Sequence, residues 1–332
     1  MVSGVHLGFS SQLYHCHLEN FQSNQALIEW QEECPILFSE LIVSWNALRP
    51  LKGEYAIYVC LKTDDWSSWL LYAIWGGNGQ KSFSAKSQDS YVQVYQDAVE
   101  TLDQRKARAF KIRVEALEGA DLRQFHSLHA CTTDLQALNC CSQVNADASI
   151  SLKVAGISQM TLQHQRCKDM CSPTSTTAVV RYLKSDPLIN PVEFARLAHD
   201  DGFDIYGNWV FNVAQAYTYL GRKWQCFVAR LSGFDDIYKN LSEGTPVVIS
   251  IRGPLKGSPL LYKSGHLIAI IGFDSETNEV LCMDPAFSSD ENTIVRYALD
   301  DLMKAWGRRL NIAYMFNQLE IPLRLCAFAP LR

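Results

Sequence analysis

The sequence predicts an α+β protein: an N-terminal antiparallel β-sandwich-like domain, followed by a domain in which a helix packs against an antiparallel sheet. Three observations predict it. Short runs rich in β-branched and aromatic residues recur up to Ala116, several of them separated by turn-forming stretches. A helix signal follows a polar loop at Cys171-Ser172-Pro173-Thr174, where Ala178, Val179, Tyr182 and Leu183 fall at helical spacing. Continuous apolar runs at 245–251 and 267–271 then read as central strands.

Taken in order, residues 1–25 are polar without a sustained period and are expected to form a loosely held N-terminal segment. Residues 26–148 form the β-sandwich-like module, with strand-like runs at 40–45, 55–61, 69–75, 91–95 and 110–116 and turns at Pro50-Leu51-Lys52-Gly53 and Gly76-Gly77-Asn78-Gly79. Trp30, Trp45, Trp66, Trp69 and Trp75 all lie in this half. Core packing is favoured over an exposed ligand platform, because aromatics dominate the buried area of such sheets. From about 117 to 150 the alternation is lost, and Thr132-Thr133-Asp134, Asn139 and residues 142–149 are turn-like, which puts the boundary near 148. Adjacent Cys140 and Cys141 read as structural or incidental.

Residues 149–332 open with a short strand-like entry and a polar loop to Cys171. The helix from Ser172 is expected to end near Lys184. A second has Asn190 as cap, Pro191 at its first position and Glu193 three residues after the cap. A third starts at Asn208-Trp209 and stops at Gly221. Strands follow at 223–229, 245–251, 267–271, 279–283, 294–297 and 312–316, with short helices at about 234–241 and 299–305.

A chain of 332 residues fits two domains. Its net charge of −5, with no block of like charge, argues against nucleic acid or an anionic membrane as the main partner. No apolar run reaches membrane-spanning length and the start lacks the pattern of a signal peptide, so a cytoplasmic protein is expected, with signal-independent export left open. The 11 cysteines are odd in number and show no small disulfide framework, so most are expected to be reduced and buried.

The chemistry concentrates on three residues. A thiol at the start of a helix lies near unpaired N–H groups and about half a positive charge, which favours thiolate and makes Cys171 a plausible nucleophile. His266, at the head of the run 267–271, is the best base, and Asp284 closes the next strand. Taken singly, each has an ordinary explanation as a core thiol, a hydrogen-bonded histidine or a turn-forming Asp-Pro. Cys167, Cys171 and His164 offer a partial zinc set without a second ligand pair, so no metal and no cofactor is expected.

With these residues in hand, the second half resembles the C39-like cysteine peptidases of the papain-like superfamily. Five stretches carry the resemblance in family order over roughly 150–318: Ile157-Ser158-Gln159-Met160, Cys171-Ser172-Pro173-Thr174-Ser175, Gly207-Asn208-Trp209-Val210-Phe211-Asn212, the run from Gly265-His266 to Gly272-Phe273-Asp274, and Asp284-Pro285-Ala286. The resemblance implies a papain-like fold, Cys171 as nucleophile, His266 as base and later acid, and Asp284 as the group orienting the imidazole. It further implies that the Gln159 amide and the Cys171 backbone N–H form the oxyanion hole. Gln163 and Gln165 share that loop, so which glutamine serves stays open, and Met170 stands where members often have tryptophan. The implied activity is hydrolysis of peptide or amide bonds in a peptide or protein substrate through a thioester. Alternatives are an acyltransferase, transglutaminase or deamidase on the same triad, or an inactive binding protein that works through its tryptophan-rich module. The first half resembles a β-rich module that precedes this domain in some relatives, with Ser44-Trp45-Asn46 and Trp66-Ser67-Ser68-Trp69 as echoes; it is open to a partner or ligand.

Overall fold

The β-forming runs of the first 133 residues pair into one continuous antiparallel sheet. The computed structural model describes residues 2–6, 10–18, 27–138, 144–146 and 148–319. The strands of this sheet are β1 (Val2–His6), β2 (Ser11–His17), β3 (Leu27–Phe38), β4 (Glu40–Ala47), β5 (Glu54–Lys62), β6 (Leu70–Gly76), β7 (Gln80–Lys86), β8 (Val92–Gln96), β9 (Ala98–Thr101), β10 (Ala107–Leu117) and β11 (Phe125–Thr133). Their order is β1-β2-β11-β4-β9-β8-β7-β6-β5-β10-β3. The sheet folds over on itself: Phe110 of β10 meets Tyr14 of β2 edge to face at 5.6 Å and Trp30 of β3 at 5.1 Å.

Two stretches depart from expectation. Residues 1–25 were expected to be loosely held, yet Val2–His6 and Ser11–His17 are strands, and the side chains of Leu13, Tyr14 and His15 are buried. Polar groups there are paired internally, so hydropathy gave no pattern: His15 Nδ1 lies 2.5 Å from His129 Nδ1, and the Tyr14 hydroxyl donates to Gln12 Oε1 at 2.7 Å. The supposedly linker-like region around Thr132 and Thr133 is likewise the end of β11, which pairs with β2 and β4 on either side. A strand covered on both faces shows no alternation. Cys140 and Cys141 lie outside the described residues.

The tryptophans divide by position. Trp30, Trp45 and Trp75 are buried, whereas Trp66 and Trp69 are half-buried under cations, with Lys111 Nζ 4.2 Å from the Trp66 ring and Arg113 4.4 Å from that of Trp69. Truncating a core aromatic such as Trp45 typically costs about 3–5 kcal/mol.

The second half contains β12 (Ile150–Ser151), α1 (Cys171–Lys184), α2 (Pro191–Ala198), α3 (Trp209–Leu220), β13 (Trp224–Arg230), α4 (Phe234–Ser242), β14 (Val247–Gly253), β15 (Tyr262–Asp274), β16 (Glu279–Met283), β17 (Ile294–Ala298), α5 (Leu299–Gly307) and β18 (Ile312–Gln318). The strands form an antiparallel sheet ordered β13-β18-β14-β15-β16-β17, with β12 added on β15. Local chemistry accounts for the helices. The Asn190 side chain accepts the N–H groups of Val192 and Glu193, Asn208 accepts that of Phe211, and Gly221 ends α3 at φ +76°. Glu193 pairs with Arg196 at 2.7 Å instead of closing a capping box. No helix of the described residues is long and apolar enough to cross a membrane.

The two sheets meet at β13. As an edge strand it carries unpaired backbone groups, and buried groups of this kind need partners. Side chains of β4 supply them: Asn46 donates to the Cys226 carbonyl at 2.6 Å and accepts the Cys226 N–H at 3.1 Å, while Ser44 accepts the Val228 N–H at 3.0 Å. Between these two polar residues Trp45 turns to the other face, against Trp75 at 5.9 Å and Phe211 of α3 at 5.9 Å. The alternation along β4 thus joins both halves in one core.

A buried ion pair closes the same junction. Glu40 and Arg230 are 2% and 4% exposed, with Arg230 Nε and Nη2 at 2.5 and 2.7 Å from the two Glu40 oxygens. Removing one partner strands the other charge in the interior, so Glu40→Ala is expected to lower stability by about 3–5 kcal/mol, whereas replacing both residues by methionine costs much less. Chemical denaturation of the single and double variants measures the difference, and equal losses would contradict it.

Candidate active site

Cys171 occupies the first position of α1. Met170, buried, precedes it without a side-chain cap, and the first helical bond runs from the Thr174 N–H to the Met170 carbonyl at 3.0 Å. Pro173 has no N–H to offer, so the donors of this turn are those of Cys171 and Ser172. The helix is fixed against the sheet by Ser175, whose hydroxyl donates to the Leu267 carbonyl at 2.9 Å, and by Ser172, 2.9 Å from the Tyr314 hydroxyl.

His266 sits one residue before Leu267 on β15. The antiparallel pairing of β15 with β16 sets Ala269 opposite Met283, which carries the next residue, Asp284, to the imidazole. His266 Nε2 and Asp284 Oδ1 are 2.8 Å apart, both residues buried. Nδ1 is thereby left for the thiol. Burial pushes the Cys171 thiol up, but the hydrogen bond and charge of His266, with the Leu267 and Ser172 N–H groups, outweigh it and hold the thiol below its ordinary value. Burial disfavours the imidazolium of His266; the charge and hydrogen bond of Asp284, and then Cys171, outweigh it and raise His266 to about 10.

Asp284 is saturated with donors. Its Oδ1 also accepts the Ala286 N–H at 3.0 Å, and its Oδ2 accepts the hydroxyls of Tyr262 at 2.6 Å and Tyr297 at 2.7 Å. Against the upward push of burial, the His266 charge and these bonds keep the carboxyl below the usual range. Tyr262 also stacks on the imidazole, with centroids 4.0 Å apart and planes 12° from parallel. Neither tyrosine was foreseen. Four residues of regular strand span about 13 Å, and Tyr262 reaches the imidazole through the irregularity that sets it opposite Gly253 while His266 faces Ile251; Tyr297 comes from β17 and had no local signal.

Gln159 lies beside this group, its N–H bonded to the Pro285 carbonyl at 2.8 Å. Its side-chain amide donates to the carbonyls of Cys167 at 3.1 Å and Lys168 at 2.7 Å, bracing the loop that leads into Cys171, and its Oε1 is buried without a partner. Gln163 and Gln165 are exposed, Gln159 is buried, and none of the three lines the cleft. Among the described residues no three His, Cys, Asp or Glu side chains are grouped to hold a metal ion.

Cys171 and His266 open into a cleft of about 780 Å³. One wall comes from the second half, with Tyr206, Trp209, Ser250, Gly265 and Arg309; the other comes from the first half, with Glu40, Tyr95, Asp97 and Glu100. The β8–β9 turn carries Asp97 into place: its Oδ2 accepts the Trp209 N–H at 2.9 Å, at the start of α3. Sequence reasoning had left this contribution of the N-terminal module unassigned.

These features define a chain with a thiol and an imidazole at one cleft and a buried carboxylate bonded to the imidazole. Residues 151–314 match the model of the Peptidase_C39 like family. No curated protein matches the chain.

Proposed function

We propose that the protein is a cysteine peptidase, with residues 149–332 as a papain-like catalytic unit and the N-terminal sheet, β1 to β11, as a module that completes its cleft. The observation that carries the reading is the His266 imidazole held between the Asp284 carboxylate and the thiol at the head of α1. The Cys171 thiolate attacks the substrate carbonyl carbon, and the π electrons move to the oxygen. The Cys171 backbone N–H receives that oxyanion, and the Gln159 amide is the second donor, exchanging one loop carbonyl for it; such contacts often tighten only with substrate present. As the tetrahedral intermediate collapses, the C–N bond breaks and His266 gives its proton to the departing amine. A water molecule, deprotonated by the now neutral imidazole, hydrolyses the thioester and restores the pair. Transfer of the acyl group to an amine uses the same residues, and product masses from a peptide library with and without added amine distinguish the two outcomes.

The pH dependence follows from the directions of the shifts. Thiolate is lost as pH falls through the depressed value of Cys171, and imidazolium is lost as pH rises through about 10 for His266. Between these limits the pair is formed before substrate arrives. Alkylation of Cys171 by iodoacetamide is therefore expected to stay fast below the pH at which a free thiol loses its reactivity. Mass-spectrometric mapping of the labelled cysteines measures this, and a Cys171 profile matching that of a free thiol refutes the reading.

A further inference from the structure

Four cations line the cleft, and their pairing differs. Arg230 makes four hydrogen bonds, two to Glu40 and one each to the carbonyls of Arg309 at 3.0 Å and Leu310 at 2.9 Å. Arg166 is held by Asp169 and Asp204 at 3.1 and 2.6 Å, and Lys168 is exposed at the rim. Arg309 is half-buried, and only its Nε has a partner among the described residues, donating to Ser250 Oγ at 3.2 Å. Its two terminal nitrogens have none, and no carboxylate there stands within ion-pair distance. Asp97, in the same cleft, accepts the Trp209 N–H, and its charge also acts on Arg309 without reaching ion-pair distance.

The position of this guanidinium is built. It lies over the Trp209 ring, 5.5 Å from the centroid, and the Arg309 carbonyl is tied to Arg230. The guanidinium lies against the backbone next to His266: a Cβ on Gly265, whose φ is +106°, would stand in ordinary contact at 3.7 Å from the guanidinium carbon. A planar fork with two unpaired terminal nitrogens, in the same part-buried cleft as the imidazole, matches a carboxylate.

We propose that Arg309 binds a substrate carboxylate close to the scissile bond, so that the preferred substrates are acidic there. This rests on the peptidase reading above. The carboxylate comes either from an Asp or Glu side chain or from the chain's own C-terminus, and the two sources are separable.

The test uses the full chain and paired peptides. One series exchanges Glu for Gln at each position within two residues of the cleaved bond, and the other compares a free C-terminal acid with its amide. A charge-assisted fork predicts a ratio of kcat/KM on the order of 10- to 100-fold in favour of the carboxylate in one series, collapsing in Arg309→Gln and intermediate in Arg309→Lys. Which series shows it names the source. A wild-type ratio near one in both series, or a ratio that survives Arg309→Gln, overturns the proposal.

Alkylation reads the same site without turnover. The rate at Cys171 with iodoacetate relative to iodoacetamide is expected to fall about tenfold in Arg309→Gln, and an unmoved ratio counts against a carboxylate site. Should Cys171 react with neither reagent faster than a free thiol, the peptidase reading fails on its own. Calorimetric binding of the Glu and Gln peptides to wild type and Arg309→Gln then still decides for or against Arg309.

Discussion

Replacing Cys171 by alanine is expected to reduce peptide hydrolysis by about 10⁴-fold or more, to the residue left by binding and oxyanion donors alone. The expectation is specific to this thiol. Burial raises the pKa of Cys34, Cys60, Cys131, Cys226 and Cys282, whereas Cys171 is the cysteine among the described residues that is shifted downward. The difference is one of partners: among these cysteines, Cys171 is the one that meets an imidazole and the N–H groups of Ser172 and Leu267. Cys171→Ser keeps a similar shape but supplies a hydroxyl that the same surroundings do not ionise near neutral pH, so it too should be nearly inactive. Turnover of a peptide cleaved by wild type measures both, with thermal melting to show that the variants fold. Wild-type rates in Cys171→Ala would mean that another residue attacks the substrate.

Much of this arrangement was legible in the sequence because it is encoded locally. Asn190-Pro191, Asn208 and Gly221 mark helix ends through groups that act within a few residues, and all three helix boundaries fall where those groups stand. The apolar run after His266 is a central strand, paired on both sides and buried through Phe273. What was not legible depends on distant partners. The N-terminal strand β2 hides polar residues whose hydrogen-bond partners lie more than a hundred residues away, as in His15 with His129. The polar faces of Ser44 and Asn46 are explained by an edge strand in the other half of the chain. The cleft wall was equally hidden, since Asp97 gains its place only when the β8–β9 turn reaches the start of α3. Gln159 marks the limit of a motif: the sequence placed it beside the loop, but its rotamer engages loop carbonyls.

Asp284→Asn is expected to lower kcat by up to about 10⁴-fold while the protein still folds. The carboxylate does two things that an amide of the same shape cannot do together. Its charge is the largest influence raising the pKa of His266, ahead of the hydrogen bond between them and of Cys171, so its loss returns the pair toward neutral thiol and neutral imidazole. Its four accepted hydrogen bonds also leave no place for an NH₂ group: Oδ1 faces His266 Nε2 and the Ala286 N–H, and Oδ2 faces the hydroxyls of Tyr262 and Tyr297. With the amide nitrogen toward the tyrosines, both hydroxyls must turn away from it. With the nitrogen toward His266, Nε2 becomes an acceptor, the ring proton moves to Nδ1, and the imidazole can no longer take a proton from sulfur. Either orientation should shift the alkylation profile of Cys171 up toward that of a free thiol in parallel with the loss of kcat. A variant that loses turnover yet keeps the wild-type profile would show that Asp284 acts on a later step than formation of the thiolate.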